Sequence, residues 1–301
     1  MGKTLITGAS GFIGSHLIRQ TAAAGLDAIL ITSIEIEGFR CVNRKAEGFP
    51  SDLERLVDGD TLDSLIHLGA YTPKAGSLAN LLAPCNSNIT ETANLLSALP
   101  TPPRKIIYAS TLDVYRFDGD EVNEETLPDP PSLYGASKLY GEHLLRHWCA
   151  ESGSELESLR IGHVYGPGEE TYQKLIPTTI LNCLRGIAPK LRTDGSELRS
   201  FIHVEDICRM ILSSLGSAND AGSSCCNLVS SSEISIRSTI ETILRLCESS
   251  LAIAEVGDRP GISTRFDNRR MVARFGPERI SFEEGLASEI EYLRRQLKLN
   301  Q

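Results

Sequence analysis

The sequence predicts an α/β fold in which a doubly wound parallel sheet is followed by a smaller C-terminal domain. Short β-branched runs alternate with helical patterns through the first part of the chain, which is typical of βαβ units. A glycine-rich turn follows the first run and opens a helix. Beyond Pro167, longer loops and amphipathic helices replace the alternation, so the 301 residues are expected to form two domains, 1–165 and 166–301.

The elements of the first domain can be predicted in order. Gly25 ends the first helix, and Ser132 caps the helix that contains Tyr134, because a serine there can accept an unpaired helix N–H. The predicted elements are the strand KTLITGAS, the helix GFIGSHLIRQTAAAG, the strands DAILITS and SLIHLGA, a helix from about Asn86 to Leu99, the strand RKIIYAST, the Tyr134 helix and the strand ESLRIGHVYG.

The second domain is predicted to be discontinuous. KLIPTTILNCLRG and FEEGLASEIEYLRRQLK have helical patterns, whereas RSFIHVEDICRMILSSL and SSCCNLVS have strand character. Strands near 200–230 are therefore expected to return to the sheet of the first domain.

The composition excludes several classes of protein. The net charge of −9 argues against nucleic acid or an anionic membrane as the partner. No stretch approaches the roughly 20 apolar residues of a membrane span, and nothing suggests export, so we expect a cytoplasmic protein without a membrane partner. The eight cysteines show no CxxC and no ligand-like spacing with histidine, so we expect free thiols and no metal site.

The turn after the first strand reads TGASGFIG, with glycines at positions 8, 11 and 14. Gly8 permits a tight turn, Gly11 lets the backbone approach a pyrophosphate, and Gly14 allows the strand and helix to pack closely. The phosphates would then lie at the N–H groups of the helix N-terminus. The pattern therefore predicts a dinucleotide-binding turn.

The end of the second strand bears on the choice of dinucleotide. An Asp or Glu there binds the ribose 2′-hydroxyl of NAD, but this chain has Thr32 and Ser33. Neutral hydroxyls do not repel a 2′-phosphate, which Arg40 or Arg44 could reach from the next loop. This favours NADP(H) over NAD; a site with little selectivity is the alternative.

Tyr134 and Lys138 lie on one face of a predicted helix, because they are four residues apart. A lysine ammonium near a phenol favours the phenolate and lowers the tyrosine pKa from about 10. Such a pair can act as a general acid and base near neutral pH. A surface tyrosine beside a solvated lysine is the alternative for an isolated YxxxK.

Further motifs decide between these alternatives. They are TGASGFIG (7–14), IHLGA (66–70), NITETANLL (88–96), ASTLDVY (109–115), YGASK (134–138), LRIGHVYGPG (159–168), DGSELRSFIHVEDI (194–207), RPG (259–261), DNRR (267–270) and SFEEGL (281–286). With them, nearly the whole chain resembles the extended short-chain dehydrogenases/reductases, the family of nucleotide-sugar epimerases, dehydratases and 4-ketoreductases. Some segments are also similar to those of CDP-4-keto-6-deoxyhexose reductases.

The resemblance implies a Rossmann dinucleotide-binding domain, a C-terminal nucleotide-sugar domain and specific catalytic roles. Tyr134 would exchange a proton with a sugar oxygen, Thr111 would share that oxygen, and Lys138 would bind the nicotinamide ribose and lower the tyrosine pKa. Asn88 would support the site. The cofactor-binding residues implied are Gly8, Ser10, Gly11, Phe12, Ile13, Gly14, Thr32, Ser33, Leu68, Gly69, Ala70 and Lys138.

The resemblance also implies a nucleotide-diphosphate sugar as the substrate. Arg199 and Arg259 match two arginines that clamp the diphosphate, since a guanidinium fork suits paired phosphate oxygens. Thr111 and Asp113 would line the sugar pocket. His163 replaces the usual asparagine, and it either donates to a phosphate or is a core imidazole.

Departures from the family pattern bear on the reaction. Dehydratases place Asp-Glu after the threonine, whereas this chain has Leu112-Asp113, which argues against dehydration. An NADPH-dependent 4-ketoreductase of an NDP-4-keto-6-deoxyhexose is the leading hypothesis. A 4-epimerase with tightly held NAD is the first alternative, and a non-catalytic dinucleotide-sensing scaffold is the second.

The family pairs two helices of each chain across a two-fold axis. Here these are the helices at about 86–98 and 134–150, with apolar outer positions at Leu139, Leu144 and Trp148. The resemblance therefore implies a homodimer, although the same side chains could instead pack on their own sheet.

Overall fold

The computed structural model describes residues 2–73, 78–117, 121–216 and 222–299. The strands are β1 (Lys3–Thr7), β2 (Ala28–Ile31), β3 (Arg40–Val42), β4 (Leu62–His67), β5 (Lys105–Thr111), β6 (Glu121–Val122), β7 (Glu155–Ile161), β8 (His163–Tyr165), β9 (Lys190–Leu191), β10 (Leu198–Arg199), β11 (Phe201–His203), β12 (Ser223–Leu228), β13 (Ile234–Ser235), β14 (Ala254–Glu255) and β15 (Arg265–Phe266). The α-helices are α1 (Phe12–Ala23), α2 (Phe49–Val57), α3 (Leu78–Ala98), α4 (Leu133–Ser152), α5 (Leu175–Leu184), α6 (Val204–Gly216), α7 (Ile236–Leu246), α8 (Arg269–Phe275) and α9 (Phe282–Leu299). Short 3-10 helices span Leu112–Val114 and Glu169–Tyr172.

The main sheet has seven strands in the order β12-β7-β5-β4-β1-β2-β3. All seven strands are parallel. For β7 and β12 this follows from two hydrogen bonds: the Leu156 amide donates to the Gly222 carbonyl oxygen, and the Gly162 amide donates to the Leu228 carbonyl oxygen. The strand order reverses between β1 and β4, and doubly wound sheets bind ligands outside the carboxyl ends of their strands at such a point. The predicted fold class is confirmed.

The chain divides into two compact units. Unit 1 comprises Met1–Arg116, Glu124–Ile161 and Ile207–Asn227, and it contains the main sheet up to Asn227. Helices α2, α3 and α4 form one core with the sheet, in which Leu95 and Leu145 are buried. Alternate strand residues such as Ile6 and Ile66 are also fully buried, so the opposite face of the sheet is covered as well.

Unit 2 comprises Phe117–Asn123, Gly162–Asp206 and Leu228–Gln301. Its helices α5, α7 and α9 pack together around an apolar core that includes Ile180 and Ile243. Short two-stranded sheets pair β8 with β11, β10 with β13, β9 with β14, and β6 with β15.

The structure corrects two of the predicted elements and adds two that were not predicted. SSCCNL forms β12 and joins the main sheet as expected, but most of RSFIHVEDICRMILSSL is not strand. Its apolar residues recur at helical spacing, and they form α6 after the short strand β11 has paired with β8. Helix α3 begins at Leu78, well before Asn86, and contains Pro84. The sequence between β2 and β4 holds a short strand, β3, and a helix, α2, that had no prediction.

Two absences hold for the described ranges of the chain. No helix there is both long and apolar enough to cross a bilayer. The same ranges contain no group of three or more His, Cys, Asp or Glu side chains that could hold a metal ion, and the eight cysteines are free thiols.

Three carboxylates with buried oxygens lie together in unit 2. The Gly166 amide donates to Oε2 of Glu289 at 3.1 Å, and Lys174 pairs with Oε1 of Glu169 at 2.9 Å. Glu170 is the third carboxylate. In each of the three, one oxygen is buried and has no hydrogen-bond partner among the described residues. Burial, followed by the charge of Glu169, raises the pKa of Glu289 well above its ordinary value.

Unit 2 should therefore lose stability as the pH rises. In the unfolded chain the Glu289 carboxyl has its ordinary pKa of ~4.3, whereas folding raises this pKa. Below the unfolded-state pKa, the contribution of Glu289 to the free energy of unfolding is fully present. This contribution is lost as the pH rises through the folded-state pKa. We predict that Glu289→Gln raises the free energy of unfolding by about 1–3 kcal/mol at pH 8 and changes it little at pH 4. Urea denaturation at both pH values measures this.

The matched control is Glu291→Gln. Glu291 is exposed on the same helix and pairs with Arg295 at the surface, so its substitution should change stability by less than about 1 kcal/mol at either pH. Equal effects of the two substitutions at pH 8 would contradict the prediction.

Candidate active site

The glycine-rich turn joins β1 to α1 beside the reversal of strand order. Gly8 has a φ of +73°, in the left-handed region that favours glycine, and its carbonyl oxygen accepts from the Gly11 amide at 2.9 Å. A Cβ on Gly14 would lie 2.0 Å from that same oxygen. Only glycine therefore lets α1 begin this close to β1.

The N-terminus of α1 fits an anionic group. Its capping residue, Gly11, makes no side-chain cap, and the first turn contains no acidic residue. The amides of this turn point out of the helix end, where a pyrophosphate can accept from them. Gly69, which follows β4, lies against Gly8, since a Cβ on Gly8 would be 2.7 Å from the Gly69 nitrogen. The turns after β1 and β4, which carry most of the expected cofactor residues, thus adjoin each other.

A directed chain of hydrogen bonds passes beside this turn. The Gly69 amide donates to Thr7 Oγ1 at 2.9 Å, and Thr7 Oγ1 lies 2.7 Å from His67 Nδ1. His67 Nε2 lies 2.9 Å from Thr92 Oγ1, whose hydroxyl donates to the Asn88 carbonyl oxygen at 2.7 Å. Because the Thr92 hydrogen is used in that bond, the His67 proton belongs on Nε2. Burial, followed by nearby positive charges, lowers the pKa of His67 to about 3, so the ring is neutral.

The Asn88 side chain connects α3 to α4. Its Oδ1 accepts from the Tyr71 amide at 2.6 Å, and its Nδ2 donates to Ser137 Oγ at 3.1 Å. The Ser137 hydroxyl donates in turn to the Tyr134 carbonyl oxygen at 2.8 Å. Asn88 therefore holds the turn of α4 that carries Tyr134.

Helix α4 begins directly against the segment that follows β5. Ser132 caps it by accepting from the Gly135 amide at 3.0 Å. A Cβ on Gly135 would lie 2.0 Å from the Asp113 carbonyl oxygen. Thr111, at the end of β5, is buried and accepts from the Asp113 amide at 3.2 Å. The close contact at Gly135 thus brings the helix turn of Tyr134 next to Thr111 and Asp113.

Lys138 lies one helical turn after Tyr134 and is only 2% exposed. Its Nζ lies 4.1 Å from the ring centroid of Tyr108, which is on β5. Burial lowers the pKa of Lys138 to about 7, and the charge of Glu142 opposes this shift. The lysine therefore changes charge near neutral pH, in the range where a general acid and base is most useful.

A buried ion pair lies one turn further along α4. Glu142 accepts from Arg160 at 2.9 Å on Oε1 and 2.7 Å on Oε2, and its Oε1 also accepts from Ser110 Oγ at 2.5 Å. Arg160 Nη1 donates to the Tyr115 hydroxyl, which donates to Asn227 Oδ1 at 3.0 Å. These contacts join α4 to β5, β7 and β12, and they give Ser110 a structural role.

In unit 2, the segment that follows Arg259 lies against Arg199. Arg199 Nη1 donates to the carbonyl oxygens of Leu198 and Ile262, each at 2.8 Å. The Asp194 amide donates to the Arg259 carbonyl oxygen at 3.0 Å, and the Arg259 side chain is exposed. A guanidinium has five N–H groups, so this anchoring of Arg199 leaves others for an anion.

His163 is an exposed residue at the start of β8, not a core imidazole. Desolvation, followed by the charges of Arg199 and Lys174, lowers the pKa of His163 to about 4. His163 is therefore neutral at pH 7 and can donate one N–H to an acceptor.

Comparison with known proteins identifies the family. The model of the NAD dependent epimerase/dehydratase family matches residues 4–224, well over half of the chain. The chain belongs to this family.

Individual relatives extend the match over nearly the full length. A dTDP-glucose 4,6-dehydratase of Mycolicibacterium smegmatis is 27% identical, and the match covers 97% of this chain and 93% of the relative. The solved structure of MoeE5 in complex with UDP-glucose and NAD is 28% identical with a TM-score of 0.84, over 98% of this chain and 100% of that one. A UDP-N-acetylglucosamine 4-epimerase from Methanobrevibacter ruminantium is 25% identical with a TM-score of 0.84, over 98% and 99%.

The end of β2 in this family member does not favour a 2′-phosphate. Thr32 is buried and Ser33 is exposed. Arg40 pairs with an aspartate, and Arg44 Nη1 lies 2.8 Å from a glutamate Oε2. Both arginines that were expected to reach a 2′-phosphate already have a carboxylate partner, and the similar structure of MoeE5 holds NAD, so the expected preference for NADP(H) has no support.

The structure places the predicted site residues in two groups, one in each unit. Unit 1 contains the glycine turn, Tyr134, Lys138, Thr111 and Asp113, whereas unit 2 contains the candidate diphosphate residues.

Two residues near Lys138, Tyr108 and Glu142, were not predicted from the sequence to belong to the site. The spacing of Glu142, four residues after Lys138, was a usable signal. Tyr108 had none, because it reads as an ordinary core residue of a strand.

Proposed function

We propose that this protein is an NAD-dependent nucleotide-sugar 4-epimerase in which Tyr134 is the general acid and base. The observation that carries the proton chemistry is the buried Lys138, one helical turn after Tyr134 and with a pKa lowered to about 7. An ordinary surface lysine keeps its ammonium in water, because burying a charged group is costly. The choice of epimerisation is supported by the similarity to a solved 4-epimerase.

The residues of unit 1 would divide the proton chemistry among them. When bound, NAD supplies the acceptor and then the donor of the hydride at C4 of the sugar. Tyr134 takes the proton of the C4 hydroxyl and later returns it. Thr111 accepts from the Asp113 amide through its oxygen, so its own hydrogen can be donated to the same sugar oxygen. Lys138 stabilises the phenolate and binds the nicotinamide ribose.

The residues of unit 2 would bind the diphosphate of the substrate. Arg199 and Arg259 supply guanidinium groups that suit paired phosphate oxygens. His163, neutral at pH 7, supplies one more N–H donor. A nucleotide-diphosphate sugar matches this set of donors.

Dehydration fits this chain poorly. A dehydratase needs an acid for the leaving hydroxyl and a base for the C5 proton, whereas Leu112 is apolar and only 5% exposed. Asp113 alone cannot easily serve as both. The similarity to dTDP-glucose 4,6-dehydratases therefore supports the fold and the cofactor turn more than the reaction.

A 4-ketoreductase of an NDP-4-keto-6-deoxyhexose is the second candidate. It is favoured by Thr32 and Ser33 at the end of β2, where the carboxylate typical of a tightly held NAD is missing. The same Tyr134, Lys138 and Thr111 would serve it. The cytoplasmic location expected for either enzyme stays a prediction.

Tyr134→Phe removes the hydroxyl that carries the proton. We predict a loss of turnover of at least about 10²-fold with unchanged dinucleotide affinity, because general acid–base catalysis contributes roughly 10²–10⁴-fold. Steady-state rates with UDP-hexoses and fluorescence titration with NADH measure the two quantities. Tyr140→Phe, at an exposed tyrosine on the same helix, is the control and should retain full activity. A biological activity that survives Tyr134→Phe would favour the sensing scaffold instead.

The cofactor retained on purification separates the two enzymatic candidates. An epimerase regenerates NAD within each turnover, so we predict about one equivalent of NAD per chain, released on denaturation and identified by mass spectrometry. The control is the same protein stripped and reloaded with NAD or NADP. A protein that purifies empty and binds NADPH more tightly than NADH would favour the ketoreductase.

We also propose a homodimer formed through α3 and α4. Leu144 and Trp148 pack partly on the core of unit 1, but Leu82 on α3 and Tyr140 on α4 are 60% and 53% exposed. Large exposed apolar side chains on adjacent helices suit a partner surface. Light scattering should give twice the 32.8 kDa chain mass, and a charged substitution, Tyr140→Glu, should lower it. A wild-type mass of one chain would reject the dimer.

A further inference from the structure

The Lys138 ammonium lies in an unusual environment for a charged group. It is buried in unit 1, and among the described residues no carboxylate forms an ion pair with it. Its observed contact is with the face of Tyr108, at 4.1 Å from the ring centroid. The negative face of an aromatic ring attracts a cation within about 6 Å, and the attraction is strongest where water is excluded.

The nearest carboxylate on the helix cannot replace this contact. Glu142 shares both oxygens with Arg160 at 2.9 and 2.7 Å and accepts from Ser110 as well. Its charge favours the ammonium from a distance, but both of its oxygens are bonded to the arginine, so it forms no ion pair with Lys138. The ring of Tyr108 is therefore the main electron-rich surface that remains for the ammonium.

The other groups around Tyr108 keep its ring in place without competing for the cation. His67, on β4, lies 5.5 Å away between ring centroids and is neutral. Burial raises the pKa of Tyr108 well above its ordinary value, with smaller effects from Tyr134 and Glu142, so its hydroxyl stays protonated. A Cβ on Gly141 would lie 2.2 Å from that hydroxyl, which shows how closely α4 covers the ring.

We propose that Tyr108 is a positioning residue whose ring face holds the Lys138 ammonium in its charged form beneath the turn of Tyr134. Without the ring, burial alone would favour the neutral amine, which can neither stabilise a phenolate nor carry charge to a ribose oxygen. The significance for catalysis rests on the proposed function, but the effect on the lysine does not.

Direct titration of Lys138 tests the proposal in the ligand-free protein. Lysines labelled with ¹³C at Cε are followed by NMR between pH 5 and 11, and the Lys138 signal is assigned by its loss in Lys138→Arg. Tyr108→Leu removes the ring face, so the titration midpoint of Lys138 should fall by about one pH unit. Tyr108→Phe keeps the face and should keep the wild-type midpoint.

Two controls separate this effect from damage to the fold. Thermal unfolding reports any loss of stability from the smaller side chain. Dinucleotide affinity is measured in all three proteins at pH 5 and pH 7. At pH 5 the lysine is charged in each of them, whereas at pH 7 its charge is largely lost in Tyr108→Leu alone. A charge effect therefore weakens binding by Tyr108→Leu mainly at pH 7, whereas misfolding weakens it at both pH values.

Two outcomes overturn the proposal: an unchanged midpoint in Tyr108→Leu, or an equal fall in Tyr108→Phe and Tyr108→Leu. If Tyr108→Leu does not fold, Tyr108→Met provides the same comparison with a longer apolar side chain. Wild-type protein that binds no dinucleotide at either pH would refute the proposed function, while the NMR titration would still decide the role of Tyr108.

Discussion

The close approach of α4 to β5 is the constraint on which the arrangement of unit 1 depends. Gly135 and Gly141 stand where a Cβ would lie 2.0 Å from the Asp113 carbonyl oxygen and 2.2 Å from the Tyr108 hydroxyl. Any larger side chain would push the helix outward. With the helix this close, Lys138 lies on the Tyr108 ring and the turn of Tyr134 lies beside the end of β5.

The same closeness buries charge, and unit 1 compensates for each buried group differently. Glu142 and Arg160 form a two-point ion pair with further hydrogen bonds, which is the arrangement that makes a buried pair tolerable. His67 is kept neutral by burial, and hydroxyls provide partners for both of its ring nitrogens. Lys138 has an aromatic face in place of a carboxylate, so its charge is held less firmly and can respond to a bound ligand.

Unit 2 shows what happens when compensation is incomplete. Glu289 has one oxygen on the Gly166 amide and the other without a partner, and Glu169 and Glu170 share this deficit. Glu289 therefore lowers stability as it ionises. The contrast with the fully bonded Glu142 indicates that a buried carboxylate is tolerated through its hydrogen bonds, whatever the depth of burial.

The sequence by itself determined the sheet, the glycine turn and the Tyr134–Lys138 pair, because each depends on local spacing. Alternating periodicities predict βαβ units, and four residues on a helix always place two side chains on one face. The tertiary structure alone decided the environment of those residues. That Tyr108 lies under Lys138, that Arg40 and Arg44 are already paired, and that β11 pairs with β8 all depend on contacts between distant segments. Local spacing carries no information about such contacts, since they arise only when strands from different parts of the chain pack side by side.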